Sequence, residues 1–182
     1  QVMQAKSMNL PQRDKLLEKM TEQVAELVLK DNYQQTQAIT MCQYDANAQM
    51  ARTANYLRKL EREGALDRRV EDLPDDEVLD RMIAAGEVFT RPEFSTILCY
   101  SKIEFYQQLL NSKLPEEGAS LDWLYEYFPK DLQKYKAEIE GHKLKKEIIA
   151  TNIANTLINR MGPVFVHSRV DKTGARPSNV AR

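Results

Sequence analysis

Six glycines, none adjacent to another, constrain this 182-residue chain more than any other feature. Only glycine lets a backbone approach a pyrophosphate closely, so a nicotinamide- or ATP-binding domain carries glycines in a fixed pattern after a strand. Neither G-x-G-x-x-G nor the phosphate-loop pattern can be written on this sequence. Six glycines with seven prolines are also too few for a turn-rich all-β sandwich. What separates the glycines is a series of apolar repeats at helical spacing. The expected fold class is all-α: an irregular bundle of about eight helices with no sheet.

The first repeat opens near Pro11, a residue suited to a helix's first turn because it lacks the N–H that would be unpaired there. Leu16, Met20, Val24, Leu27 and Val28 follow on one face, Asp31-Asn32 is expected to interrupt, and the pattern resumes to about Gln43. Met50, Ala54, Leu57 and Leu60 make a stripe over 46–63, stopped by Gly64. Residues 65–74 are the main connector. Asp75, Asp76 and Glu77 then place negative charge at the positive end of a short helix that closes at Gly86.

Thr90-Arg91-Pro92-Glu93 fits a capping box. It opens a helix to about Asn111 with Phe94, Ile97, Leu98, Ser101, Phe105 and Leu109 inward. After a loop at 114–118 come a short aromatic helix over 121–128, another from Pro129 to Gly141, and a long one over 142–161. Leu144, Ile148, Ile149, Ile153 and Leu157 form the last one's apolar stripe. Val164-Phe165-Val166 has no partner strand and reads as a helix start, and Ser178 reads as the N-cap of a further helix. No internal repeat is evident. Residues 1–182 are expected to form a single helical domain, or two sub-bundles at 1–73 and 74–182. Gln1 in place of Met, and that late helix start, predict a piece of a longer chain.

Lys and Arg total 26 against 27 for Asp and Glu, a balance that excludes a generally basic nucleic-acid binder. The longest stretch without Asp, Glu, Lys or Arg, Asn32 to Tyr44, holds four glutamines, whereas a spanning helix needs about 20 mostly apolar residues. Partners are therefore expected to be neither nucleic acid nor membrane, and the compartment cytoplasmic. Cys42 and Cys99 read as buried free thiols. His142 and His167 lack ligand-spaced companions, so metal residues are none. The carboxylate runs read as solvated helix starts, and the basic run 142–146 as a solvated helix face. Catalytic residues are likewise none.

Two features remain as a candidate interface. Asn152, Asn155 and Asn159 recur on one side of the long helix although Asn is a poor helix former. They serve either hydrogen bonds to neighbouring helices or contact with another domain. Trp123, Tyr125, Tyr127 and Phe128 pose the same alternative, a core corner or a docking site, since Tyr and Trp anchor interfaces.

Several segments then occur in a telling order. They are 20–25 (MTEQVA) with 27–33 (LVLKDNY), 60–64 (LEREG) leading to 73–77 (LPDDE), and 89–93 (FTRPE). They continue with 147–152 (EIIATN), and 159–163 (NRMGP) with 165–167 (FVH). In this order, from about Arg13 onward, the chain resembles the C-terminal helical region of the bacterial large NAD-specific glutamate dehydrogenases. The resemblance implies a parent protein that oxidises L-glutamate to 2-oxoglutarate and ammonia with NAD. It also implies partners in the catalytic domains of the same chain and in other subunits of a homo-oligomer. The family's catalytic and NAD-binding motifs lie upstream, so no such residue is carried over, and the cofactor expected in the segment itself is none. Residues 41–44 and 118–125 match the family poorly. The alternative is a free-standing helical protein–protein interaction module.

Overall fold

The computed structural model describes residues 9–182, and among these every regular element is helical. In order they are α1 (Leu10–Tyr44), α2 (Ala46–Arg62), α3 (Asp76–Ala85), α4 (Arg91–Leu110), α5 (Leu121–Tyr127), α6 (Lys136–Glu140), α7 (Lys145–Met161), α8 (Phe165–Thr173) and α9 (Pro177–Val180). Two 3₁₀ turns, Leu114–Glu116 and Gly118–Ser120, fill the loop after α4. The all-α expectation holds.

Cap chemistry explains the clean element starts. The Asp75 carboxylate accepts the Val78 N–H at 2.8 Å. Glu93 reaches back to the Thr90 N–H at 2.5 Å, completing that capping box. Gly86 closes α3 at φ +69°, a left-handed conformation costly for other residues. A further box, Asn9 with Gln12, starts α1.

Four local expectations are corrected. Asp31-Asn32 does not interrupt α1, because Asp31 stays helical and accepts the Gln35 side-chain amide at 2.5 Å. Pro129 starts turns rather than a helix: the Gln133 amide donates to the carbonyls of Tyr125 (3.0 Å) and Phe128 (3.1 Å), folding the chain back on the end of α5. The helix proper is α6. The long helix begins at Lys145 rather than His142, since the Leu144 N–H goes to His142 Nδ1 and Leu144 stays exposed. Ser178 lies inside α9, which Arg176 caps and Pro177 opens. Val164-Phe165-Val166 does lead into a helix, α8.

Two apolar clusters hold the elements. The larger joins Leu98, Phe105 and Leu109 of α4 with Ile149, Ile153 and Ile158 of α7, and adds Leu124 and Ile139. The second gathers Leu57 and Leu60 of α2, Leu79 of α3, Phe89, and Phe94 and Ile97 from the start of α4. Helix α4 supplies both clusters, and Ile39 of α1 packs against both. Of the cysteines, Cys99 is exposed, contrary to expectation. Cys42 is half-buried, and burial, with Asp45 nearby, pushes its thiol up to about 11.

The connector 65–75 is fixed by Arg68, whose guanidinium is buried. It donates to Glu61 Oε2 at 2.8 Å, the Pro74 carbonyl at 3.1 Å and Asp76 Oδ1 at 3.0 Å. Asp76 also accepts from Arg58 at 3.0 Å. Arg58 and Arg68 hold the Asp76 carboxyl below its ordinary range, and Arg68 does the same for Glu61.

Replacing Leu57 or Ile149 by Ala should cost about 2–5 kcal/mol in denaturant unfolding of this segment, as cavity formation in a packed core does. Leu17→Ala, at an exposed position, should cost under about 0.5 kcal/mol. Equal losses at buried and exposed sites would contradict the packing. The lowered carboxyls give a pH dependence of defined sign. Their stabilisation is full above the unfolded-state pKa of about 4 and is lost as pH falls through the lower folded values. Unfolding midpoints measured downward from pH 5 should therefore fall, and less steeply in Arg68→Ala. An unchanged slope in that variant contradicts the network.

Candidate interface

Asn152, Asn155 and Asn159 do lie along one side of α7, and hydrogen bonds to two different helices engage the outer two. Asn152 Nδ2 donates to the Trp123 carbonyl at 2.8 Å, tying α7 to α5. Asn159, only 7% exposed, donates Nδ2 to Asp31 Oδ1 at 3.2 Å and so ties α7 to α1. Its Oδ1 is buried with no partner among the described residues. Asn155 sits half-buried between them. Trp123, Tyr125 and Phe128 pack on the larger cluster. Tyr127 remains 49% exposed, its ring edge-on to Phe128 at 5.7 Å. Asn152 thus meets the aromatic corner at Trp123, whereas Asn159 faces α1.

A polar cluster that the sequence did not signal joins α2, α4 and α8. The Tyr56 hydroxyl donates to Glu104 Oε2 at 2.6 Å, and Lys59 Nζ bonds the other oxygen of the same carboxylate. Lys59 also meets Glu63 at 3.0 Å. The His167 ring stacks on Tyr56 with centroids 5.1 Å apart. Burial and the Glu104 charge push the Tyr56 hydroxyl above its ordinary range. Burial, aided by Lys59, holds His167 below its own. Burial also draws Lys59 down, but its bonds to Glu104 and Glu63 outweigh that and leave it raised. These groups satisfy one another, and the adjoining cavity of about 40 Å³ has room for little more than a water. The arrangement is a clamp between helices.

The glycines stand singly at 64, 86, 118, 141, 162 and 174, so no glycine-rich turn of the dinucleotide-binding pattern is formed among the described residues. Among the described residues no His, Cys, Asp and Glu side chains gather as a metal site, and no helix is long and apolar enough to cross a membrane.

A recess of about 380 Å³ lies between α1 and α4, lined by Gln35 and Ile39 on one side and Leu98, Cys99 and Lys102 on the other. Burial pulls the Lys102 amine below its ordinary range, partly offset by Asp31, and no carboxylate among the described residues pairs with it. Beside the recess the N-terminal half of α1 departs from expectation. Leu16 and Met20 are half-buried, but Leu17, Val24, Leu27 and Val28 stand exposed. Lys19 (3.2 Å) and Gln23 (3.0 Å) reach Asp131 beside them.

Comparison with known protein families matches two stretches of the chain. Residues 86–182 match the family described as glutamate dehydrogenase, C-terminal. Residues 1–42 match the catalytic domain of bacterial NAD-glutamate dehydrogenase. Three relatives carry the name NAD-specific glutamate dehydrogenase. That of Pseudomonas aeruginosa is 41% identical over 100% of this chain. Those of Halomonas elongata and Mycobacterium tuberculosis are 37% and 30% identical over 94% of it. In each case the chain spans only 11% of the relative's length. With more than half of its residues matched by the first of these families, and an all-helical fold among the described residues, the chain belongs to the glutamate dehydrogenase C-terminal family.

Proposed function

We propose that this chain is the helical C-terminal part of an NAD-dependent glutamate dehydrogenase and serves domain packing or subunit assembly rather than chemistry. The parent protein would convert L-glutamate to 2-oxoglutarate and ammonia in the cytoplasm, with NAD as hydride acceptor held elsewhere in the chain. The observation that carries this reading is the 41% identity over the whole segment to a relative named NAD-specific glutamate dehydrogenase. The lack of a G-x-G-x-x-G or phosphate-loop pattern in the sequence supports a segment without a cofactor site of its own.

We take residues 1–182 as one helical unit, since α4 contributes side chains to both apolar clusters. Within it, Asn152 and Asn159 brace α7 against α5 and α1, so that the surfaces offered to the rest of the protein keep their shape. Tyr127, the exposed member of the aromatic corner, is the candidate whose ring is available to a neighbouring subunit or domain.

The full-length protein should reduce NAD in the presence of L-glutamate, whereas the isolated segment should give no calorimetric signal with NAD. Heat of NAD binding to a folded segment, verified by circular dichroism, contradicts the reading. In the full-length protein, combined alanine substitution of Asn152, Asn155 and Asn159 should lower stability. Tyr127→Ala should leave unfolding free energy within about 0.5 kcal/mol while loosening assembly on size exclusion. Assembly unchanged in Tyr127→Ala and in the triple variant removes these residues from the interface.

A further inference from the structure

Helix α1 lies almost wholly within the stretch matched to the catalytic domain yet packs on α4 and α7, which belong to the C-terminal match, and its surface changes character along its length. From Asp31 onward it is anchored: Asp31 holds Asn159, Ala38 is buried, and Ile39 packs on both clusters. Before Asp31 it presents Leu10, Leu17, Val24 and Val28, which recur at seven- and four-residue steps and share one helix face. They are 56%, 51%, 44% and 53% exposed. A helix keeps such a stripe to bury it against something, and a run of exposed apolar side chains of this length marks an interaction surface. Continuing along the helix, the same face arrives at Gln35 and Ile39, which line the recess between α1 and α4. Stripe and recess therefore lie along one face of α1 as one trough, apolar at the stripe and at Ile39 and Leu98, with polar Asn32, Gln35 and Thr36 between. On the α4 wall Lys102 is half-buried near Asp31 but in no salt bridge among the described residues, so an occupant that brings a carboxylate within bonding distance is favoured.

We propose that this trough, formed by Leu17, Val24 and Val28 with Ile39 and Leu98, is the seat of the catalytic part of the same polypeptide, which meets Lys102 with an acidic side chain. The inference rests on the proposed function above, because the occupant is the portion that the longer relatives possess. Two observations choose it over a second copy of the chain. The exposed residues fall inside 1–42, the stretch matched to the catalytic domain, so in this family they are part of that domain's own fold. The opposite wall, Leu98 to Lys102, falls inside the C-terminal match, which places the trough on the seam between the two units.

The test uses the full-length protein with Val24→Cys, and with Leu29→Cys as the control on another face of α1, 67% exposed. Maleimide labelling of each site is followed by peptide mass spectrometry. Val24→Cys should label at least tenfold more slowly than Leu29→Cys, and native Cys99 should be protected with it. Equal rates at both engineered sites overturn the proposal. A photo-crosslinking amino acid at position 24 identifies the occupant. Crosslinks to peptides preceding this segment in the same subunit support it, and crosslinks to a second copy, lost on dilution, overturn it. Glutamate-dependent NAD reduction is measured on the same preparations. Activity with free labelling at Val24→Cys removes the trough and leaves the functional reading standing. Protection without activity removes the functional reading and leaves the trough.

Discussion

Leu98, Phe105 and Leu109 of α4 share one apolar cluster with Ile149, Ile153 and Ile158 of α7, and the remaining elements take their positions from this pair. Each such side chain, fully buried, is worth about 1.5–3 kcal/mol relative to exposure. The pair therefore supplies a rigid centre onto which short, individually unstable helices can be laid. Helix α5, of seven residues, is far too short to persist alone; it is held by Leu124 inside the cluster and by Asn152 on its Trp123 carbonyl. The start of α4 serves the second cluster as well, so α2 and α3 are bound to the same rod.

Element starts were readable from sequence wherever a side chain caps the backbone next to it. Asp75, Thr90 with Glu93, and Gly86 each act within three residues, a range over which sequence order is spatial order. The inward face of α4 was readable for the same reason, through helical periodicity. Misreadings arose where a distant or non-local partner decides. Asp31 looks like a helix breaker until Asn159 and Gln35 occupy its carboxylate. Pro129 looks like a helix opener until Gln133 ties the turn to Tyr125 and Phe128.

The candidate interface was legible only in part. The asparagine row is real as a row, but its members serve different neighbours, which periodicity cannot assign. The Tyr56–Glu104–His167 clamp left no trace in the sequence, because its members sit on three helices and none has an unusual local context. On α1 periodicity grouped Leu16, Met20, Val24, Leu27 and Val28 on one face, of which Leu16 and Met20 are half-buried and the other three exposed. Periodicity tells which face a helix will bury, and is silent about whether the burying partner lies in the same stretch of chain.

Helix α1 thus carries the tension between the segment and the longer protein. Its second half is tied to α4 and α7, and its first half is mostly exposed, with Leu16 and Met20 half-buried and Lys19 and Gln23 bonded to Asp131. Backbone amide exchange reads this division directly, because exchange tracks local opening free energy. In the isolated segment, amides of α4 and α7 should exchange slowly, and those over 14–28 fast. In the full-length protein all three stretches should be slow. Slow exchange over 14–28 in the isolated segment, or fast exchange there in the full-length protein, would contradict the account.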